Sequence, residues 1–144
     1  MAITQAVASS FKQQVLEAIH DFQTSGSGGD VFKIALYTSA ATLDSSTTVY
    51  TTSGEVVGTG YTAGGQTLTN QGVSLSGATA YTDFADVTWT SASFTADGAL
   101  IYNSSQANKA VAIFDFGGSF TCTNGDFTVI FPAATSSTAV LILS

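Results

Sequence analysis

Apolar residues recur every four positions through the first part of the chain, at Ile3, Val7, Phe11, Val15 and Ile19, with Leu16 and Phe22 widening the stripe. That spacing puts them on one face of an α-helix, and Gln5, Gln13, Gln14 and Glu17 fall on the others. The pattern predicts a helix over residues 4–22, with Thr4 as its N-cap and Gly26 as its stop. The run Ser25-Gly26-Ser27-Gly28-Gly29 reads as a flexible hinge. A helix on such a hinge can pack on its own domain or dock elsewhere, and the wide aliphatic stripe favours packing at home.

From Asp30 onward the pattern changes to strand. Residues 31–38 (VFKIALYT) form a buried strand, residues 47–57 alternate weakly around Val49, Val56 and Val57, and the glycine-rich 58–65 suggests bulges or a wide loop. Strands follow at 67–75, 80–91 and 94–102, the last with Asp97-Gly98 as a turn dipeptide. Residues 110–116 (AVAIFDF) are apolar enough for a central strand. Asn124-Gly125, between two alternating segments, predicts a β-hairpin with a type I′ turn. Phe127, Val129 and Phe131 then share one face, with Asp126, Thr128 and Ile130 on the other. Pro132 closes that strand and residues 139–143 supply the last one. Short strands at this spacing, without a fixed repeat, predict a mainly β fold: an antiparallel β-sandwich or jelly roll with one N-terminal α-helix. The whole chain, 1–144, reads as a single domain, with helix and hinge in 1–25 and the sandwich in 30–144.

Charge narrows the function classes. Only 9% of the 144 residues are charged, against roughly 25% in an average soluble domain. The three basic residues are Lys12, Lys33 and Lys109; ten acidic residues bring the net charge to -7. Neither the clustered cations that neutralise nucleic-acid phosphates nor a polybasic patch for anionic lipid can be built from this set. One His and one Cys exclude multi-His or multi-Cys metal sites and a disulfide framework. Hydrophobics at 44% suffice for a core. The longest apolar run, 139–143, is far short of the ~20 residues a membrane-spanning helix needs. Lys12, Glu17 and Asp21 interrupt any secretory signal in residues 1–22, so the mature chain is expected to start at or near Met1, in a reducing cytoplasm.

Several strings look like sites and are read otherwise. Gly58-Thr59-Gly60-Tyr61-Thr62-Ala63, with Asp83 further on, resembles a dinucleotide fingerprint, but the residues after it are poor helix formers. His20-Asp21 is the one base next to a carboxylate, and a capping or packing role near a helix end suits His20. Cys122 has no neighbouring cation to activate it and reads as a half-buried strand residue. Asp83 and Asp86, three apart on a strand, reach one ion only across a bulge, so solvation and turn capping are expected of them. Trp89 and the five Tyr are candidates for a sugar platform or for core aromatics. The Asn103-Ser104-Ser105 sequon matters only in a secreted eukaryotic protein. No catalytic, cofactor-binding or metal-binding residue is assigned, no cofactor is expected, and the chain is not expected to be an enzyme.

The phrases MAITQAVASSFKQQVLEAIHDF, VFKIALYTSAATL, GTGYTAGGQTL, GALIYNSS, KAVAIFDFG and TNGDFTVIFP, in that order, resemble a family of small virion structural proteins encoded by tailed bacteriophages and prophages. The resemblance runs from Met1 through the 130s and brings no catalytic motif. It implies a head decoration or cement protein on the outer surface of the capsid, a homo-oligomer whose partner is the major capsid protein. Two alternatives stay open: a tail component (tube, baseplate or fibre) and a carbohydrate-binding β-sandwich module.

Overall fold

The computed structural model describes residues 2–144; Met1, the expected chain start, lies outside the described residues. The chain forms a β-sandwich of two antiparallel sheets with one α-helix. Strand β1 (Ala6–Val7) precedes helix α1 (Ser9–Leu16), followed by β2 (Phe32–Tyr37), β3 (Gln66–Thr67), β4 (Asn70–Ser76), β5 (Thr79–Phe84), β6 (Val87–Asn103), β7 (Lys109–Val129) and β8 (Leu141–Leu143). The larger sheet runs β1-β7-β6-β2-β3 and the smaller β4-β5-β8.

Strands β6 and β7 form one long antiparallel ribbon. Its proximal half is the middle of the larger sheet: Phe32 to Tyr37 pair with Asn103 to Gly98 on one side, and β1 pairs with Ala112 and Ile113 on the other. There the strands bury both faces, with Phe32, Ile34, Leu36, Leu100, Ile101 and Val111 all fully enclosed. Each such side chain stabilises the fold by about 1.5–3 kcal/mol. A chain of rings ties the smaller sheet on: Phe22 stacks on Phe32 at 4.4 Å, Phe32 meets Phe84 at 5.6 Å, and Phe84 meets Phe131 at 6.1 Å.

The expected buried strand at 31–38 contains β2, with Val31 exposed just before it, and the expected central strand at 110–116 lies inside β7. Phe127 and Val129 are half-buried and Phe131 buried, while Asp126, Thr128 and Ile130 are exposed, which is the predicted division of faces. The predicted hairpin is absent. Asn124-Gly125 lies within β7, because the segments on both sides of it pair with β6 instead of with each other. The positive φ of Asn124, 49°, serves a bulge, and Ser91 on β6 has the same φ. Trp89 and Ala92 pair with Phe127 and Gly125, then Ala92 and Phe94 with Gly125 and Cys122, so the insertion in one strand cancels the insertion in the other. Asp97-Gly98 is likewise no turn but part of β6. A Cβ at Gly98 would lie 2.5 Å from the Phe114 carbonyl oxygen and 2.9 Å from Ile3, so the glycine is there for close approach. Opposite Asp97, β7 bulges through residues 116–119; the Ser119 hydroxyl donates to Asp97, whose other oxygen accepts from Ser39 N–H (2.9 Å).

The N-terminal helix is much shorter than predicted. Ile3 and Val7 satisfy an apolar stripe equally well from an extended segment, where β1 pairs with β7 and Thr4 N–H donates to Leu43 O (2.8 Å). Ala8, not Thr4, is the N-cap, and Ala18 at φ 58° lies beyond the end of α1. Phe11 is buried but Leu16 is 90% exposed. Residues 25–29 close as a hydrogen-bonded turn rather than an open hinge: Gly29 N–H donates to Thr24 O (3.1 Å) and Asp30 N–H to Asp21 O (2.9 Å). The expected strand at 47–57 is irregular, with isolated β-bridges to the sheet at Tyr37↔Glu55 and Val49↔Lys109. The expected strand at 67–75 divides between β3 and β4, and that at 80–91 between β5 and β6.

Gly65 (φ 75°) packs too closely on β2 for any side chain, since a Cβ there would lie 1.8 Å from the Ile34 carbonyl oxygen. Gly77 (φ 59°) faces open space. Gly65→Ala is expected to lose more than about 3 kcal/mol in urea unfolding or to fail to fold, and Gly77→Ala only about 1 kcal/mol. Equal losses would contradict this account of Gly65.

Candidate functional site

Two clusters of polar groups are built around the buried Glu55 and Asn103. Glu55, in the irregular segment between β2 and β3, is 8% exposed and accepts three bonds: from Tyr50 Oη (2.6 Å), Tyr61 Oη (2.7 Å) and Gly64 N–H (2.7 Å). Around it, Leu36 N–H donates to Tyr61 Oη (2.9 Å), Tyr102 Oη to Gly64 O (2.7 Å) and Tyr37 Oη to Thr51 O (2.6 Å). Burial, with the Glu55 charge beside it, pushes Tyr102 up to about 12. The same causes raise Tyr37, Tyr50 and Tyr61, so all four phenols stay protonated. The cluster is a clasp that fastens the segment to β2 and β6, since an unmade bond to any of these donors would cost about 1–3 kcal/mol. Sequence reading missed Glu55; the available signal was a lone acid between Tyr50 and Tyr61 in a Val- and Gly-rich stretch.

His20 centres the second cluster. Asn103 Nδ2 donates to His20 Nδ1 (3.0 Å) and to Asp30 Oδ2 (2.8 Å), and Gln14 Oε1 lies 2.9 Å from Nε2. An amide donor at Nδ1 assigns the proton of the neutral ring to Nε2. The ring packs on Phe11, centroids 4.9 Å apart. His20 therefore takes the packing role expected of it but caps no helix, because α1 ends at Leu16. Asp21 does not orient it: its carboxylate accepts from Gln23 N–H (2.9 Å), and Asp30 is the acid of the cluster. Burial opposes ionisation of Asp30, but bonds from Asn103, Asp21 N–H and Gln106 hold its pKa below the ordinary carboxylate value. The sequon Asn103 is fully buried with its amide in these bonds, not presented for a glycan.

The other candidates separate. Asp83 is 1% exposed on β5; one oxygen accepts from Phe84 N–H (2.8 Å), and burial raises its pKa against backbone hydrogen bonds from Phe84 and Val140. Asp86 accepts instead from Phe131 N–H (2.8 Å), so the two acids hold different partners. Gly58 and Gly60 let their loop lie directly on β6, at Phe94 and Ala92, with no helix after it. Cys122 is half-buried with Sγ 3.6 Å from Phe94 O. Trp89 is 2% exposed among Tyr61, Phe94 and Phe127, so the indole is not presented as a sugar platform.

What does reach the surface is apolar. The distal β6–β7 ribbon carries an open groove of about 440 Å³ lined by Phe116, Phe120, Cys122, Phe127 and Ile130, with Asp126 on its rim. Phe116 lies 6.3 Å from Phe127 and 6.2 Å from Phe120, extending the buried aromatic cluster outward to Phe120 (53% exposed), and Ile130 (75%) is exposed near the end of the same strand. No family model matches the chain, and no curated protein or solved structure matches it.

His20 yields a pH prediction. Burial, opposed by the Asp30 charge and aided by Lys109, lowers its pKa below 6.5, so on acidification the unfolded chain takes up the proton first. The His20 contribution to stability is complete above pH 6.5 and is lost as the pH falls from 6.5 through the native value. NMR titration of the single imidazole should give an Nε2–H tautomer and a native pKa below 6.5; a value at or above 6.5 contradicts the assignment.

Proposed function

We propose that this chain is a structural protein of a tailed-phage virion, decorating and cementing the head by binding the major capsid protein, and acting as a homo-oligomer. The observation that carries the reading is that both sheets leave adhesive surface bare. On the larger sheet it is the distal ribbon with Phe120 and Ile130. On the smaller sheet Leu75, Ala80 and Leu143 form one cross-strand row, with Leu75 72% and Leu143 65% exposed. Clustered apolar exposure of this kind marks interaction sites. Two such surfaces on one small domain let it bridge two neighbours, and a symmetric shell multiplies individually weak contacts.

The resemblance of its phrases to tailed-phage virion proteins supports the same reading. So does the net charge of -7, which keeps the chain off DNA and suits the outside of a shell. No helix among the described residues is long and apolar enough to cross a membrane. The polar clusters around Glu55 and His20 serve the fold, which is the division of labour a clamp requires.

Purified chain added to expanded heads that lack it should bind saturably and raise their disruption temperature, and immuno-gold should label heads and leave tails bare. Absence of binding and of any temperature shift overturns the proposal. Gold confined to tails overturns the head placement in favour of a tail component.

A further inference from the structure

We infer that the free edge of β7 over residues 118–129 accepts an added β-strand from another protein, an extended segment in which apolar residues alternate with lysine or arginine. The inference rests on the adhesive reading above and gives the partner its chemistry.

The backbone supplies the first argument. β1 pairs with β7 only at Ala112 and Ile113, and beyond the 116–119 bulge β7 is paired with β6 alone. The outward N–H and C=O groups of this stretch form a row without a backbone partner. Folded proteins ordinarily shorten, cover or charge such an edge, and strand addition is the interaction it is built for. Beyond the bulge, residues 120–129 of β7 remain bare, divided by the Asn124 bulge, and exceed the roughly 5–6 residues of an ordinary strand.

The side chains supply the second. The groove beside the edge, lined by Phe116, Phe127 and the exposed Phe120, offers sites for the apolar side chains of one face of an incoming strand. Charge then chooses the occupant. Asp126 is exposed within this part of β7 and Asp115 just before the bulge, while Lys12 lies on α1, Lys33 on β2 and Lys109 at the opposite end of β7. A second copy would bring the same carboxylates and its own charge of -7 to the edge. A basic strand meets them favourably, with the carboxylates selecting the partner more than setting the affinity.

The test uses the full, isotope-labelled chain and two synthetic peptides of about ten residues, one alternating valine with lysine and one alternating valine with glutamate. The valine–lysine peptide should shift and protect amides within 118–129 and bind at least about tenfold more tightly than the valine–glutamate peptide. Asp126→Lys, at an exposed position, should weaken it about threefold or more, and Leu75→Lys on the other sheet should leave it unchanged. Equal binding of the two peptides, shifts confined to other strands, or self-association of the chain through this edge overturns the inference. Head binding that survives Phe120→Lys combined with Asp126→Lys overturns the strand partner while leaving the virion reading in place. Peptide binding without head binding does the reverse.

Discussion

The register of the β6–β7 ribbon is the constraint on which the rest of the structure depends. A slip of one residue would turn every side chain of a strand to the opposite face, and here the ribbon carries core residues along its proximal half and an aromatic cluster along its distal half. The paired insertions at Ser91 and Asn124 keep Trp89, Phe94 and Phe127 together. The 116–119 bulge, pinned by Asp97, lets the proximal and distal halves differ in their surroundings. Everything else attaches to this frame: β2 to β6, β1 to β7, the smaller sheet through the Phe32, Phe84 and Phe131 rings, and the long segment before β3 through the Glu55 clasp.

Local pattern disclosed the parts of the fold in which burial dominates. Residues 31–38 and 110–116 read as buried strands because both their faces meet protein, and the alternation at Phe127, Val129 and Phe131 reads correctly because one face meets water. Local pattern failed where two conformations satisfy the same residues. Ile3 and Val7 can be buried from a helix or from an extended segment, and it is the pairing of β1 with the distant Ala112 and Ile113 that decides. Asn124-Gly125 tolerates the positive φ of a hairpin turn equally well as that of a bulge, and the choice lies with β6, more than twenty residues earlier in the chain. Glu55 was invisible for the same reason: its partners Tyr61 and Gly64 converge only once the loop has closed.

Scarce charge has a consistent consequence throughout the molecule. The carboxylates of Glu55 and Asp30 and the ring of His20 are held by neutral donors and acceptors inside the fold, and the exposed surface is left to hydroxyls, backbone and apolar side chains. A surface of this composition is suited to contacts made by shape and strand pairing more than by charge. The bare edge and the groove beside it lie on the β7 side of the distal ribbon, whose β6 side packs Trp89, Ala92 and Phe94 into the core.

Hydrogen exchange of the β7 amides, compared between the isolated chain and the chain bound to heads, tests most directly whether that edge is the adhesive surface. Amides of residues 118–129 that point away from β6 should exchange readily in the isolated chain and become strongly protected on the head, while those of the proximal half stay protected in both states. Unchanged exchange along 118–129 in head-bound protein would contradict the account.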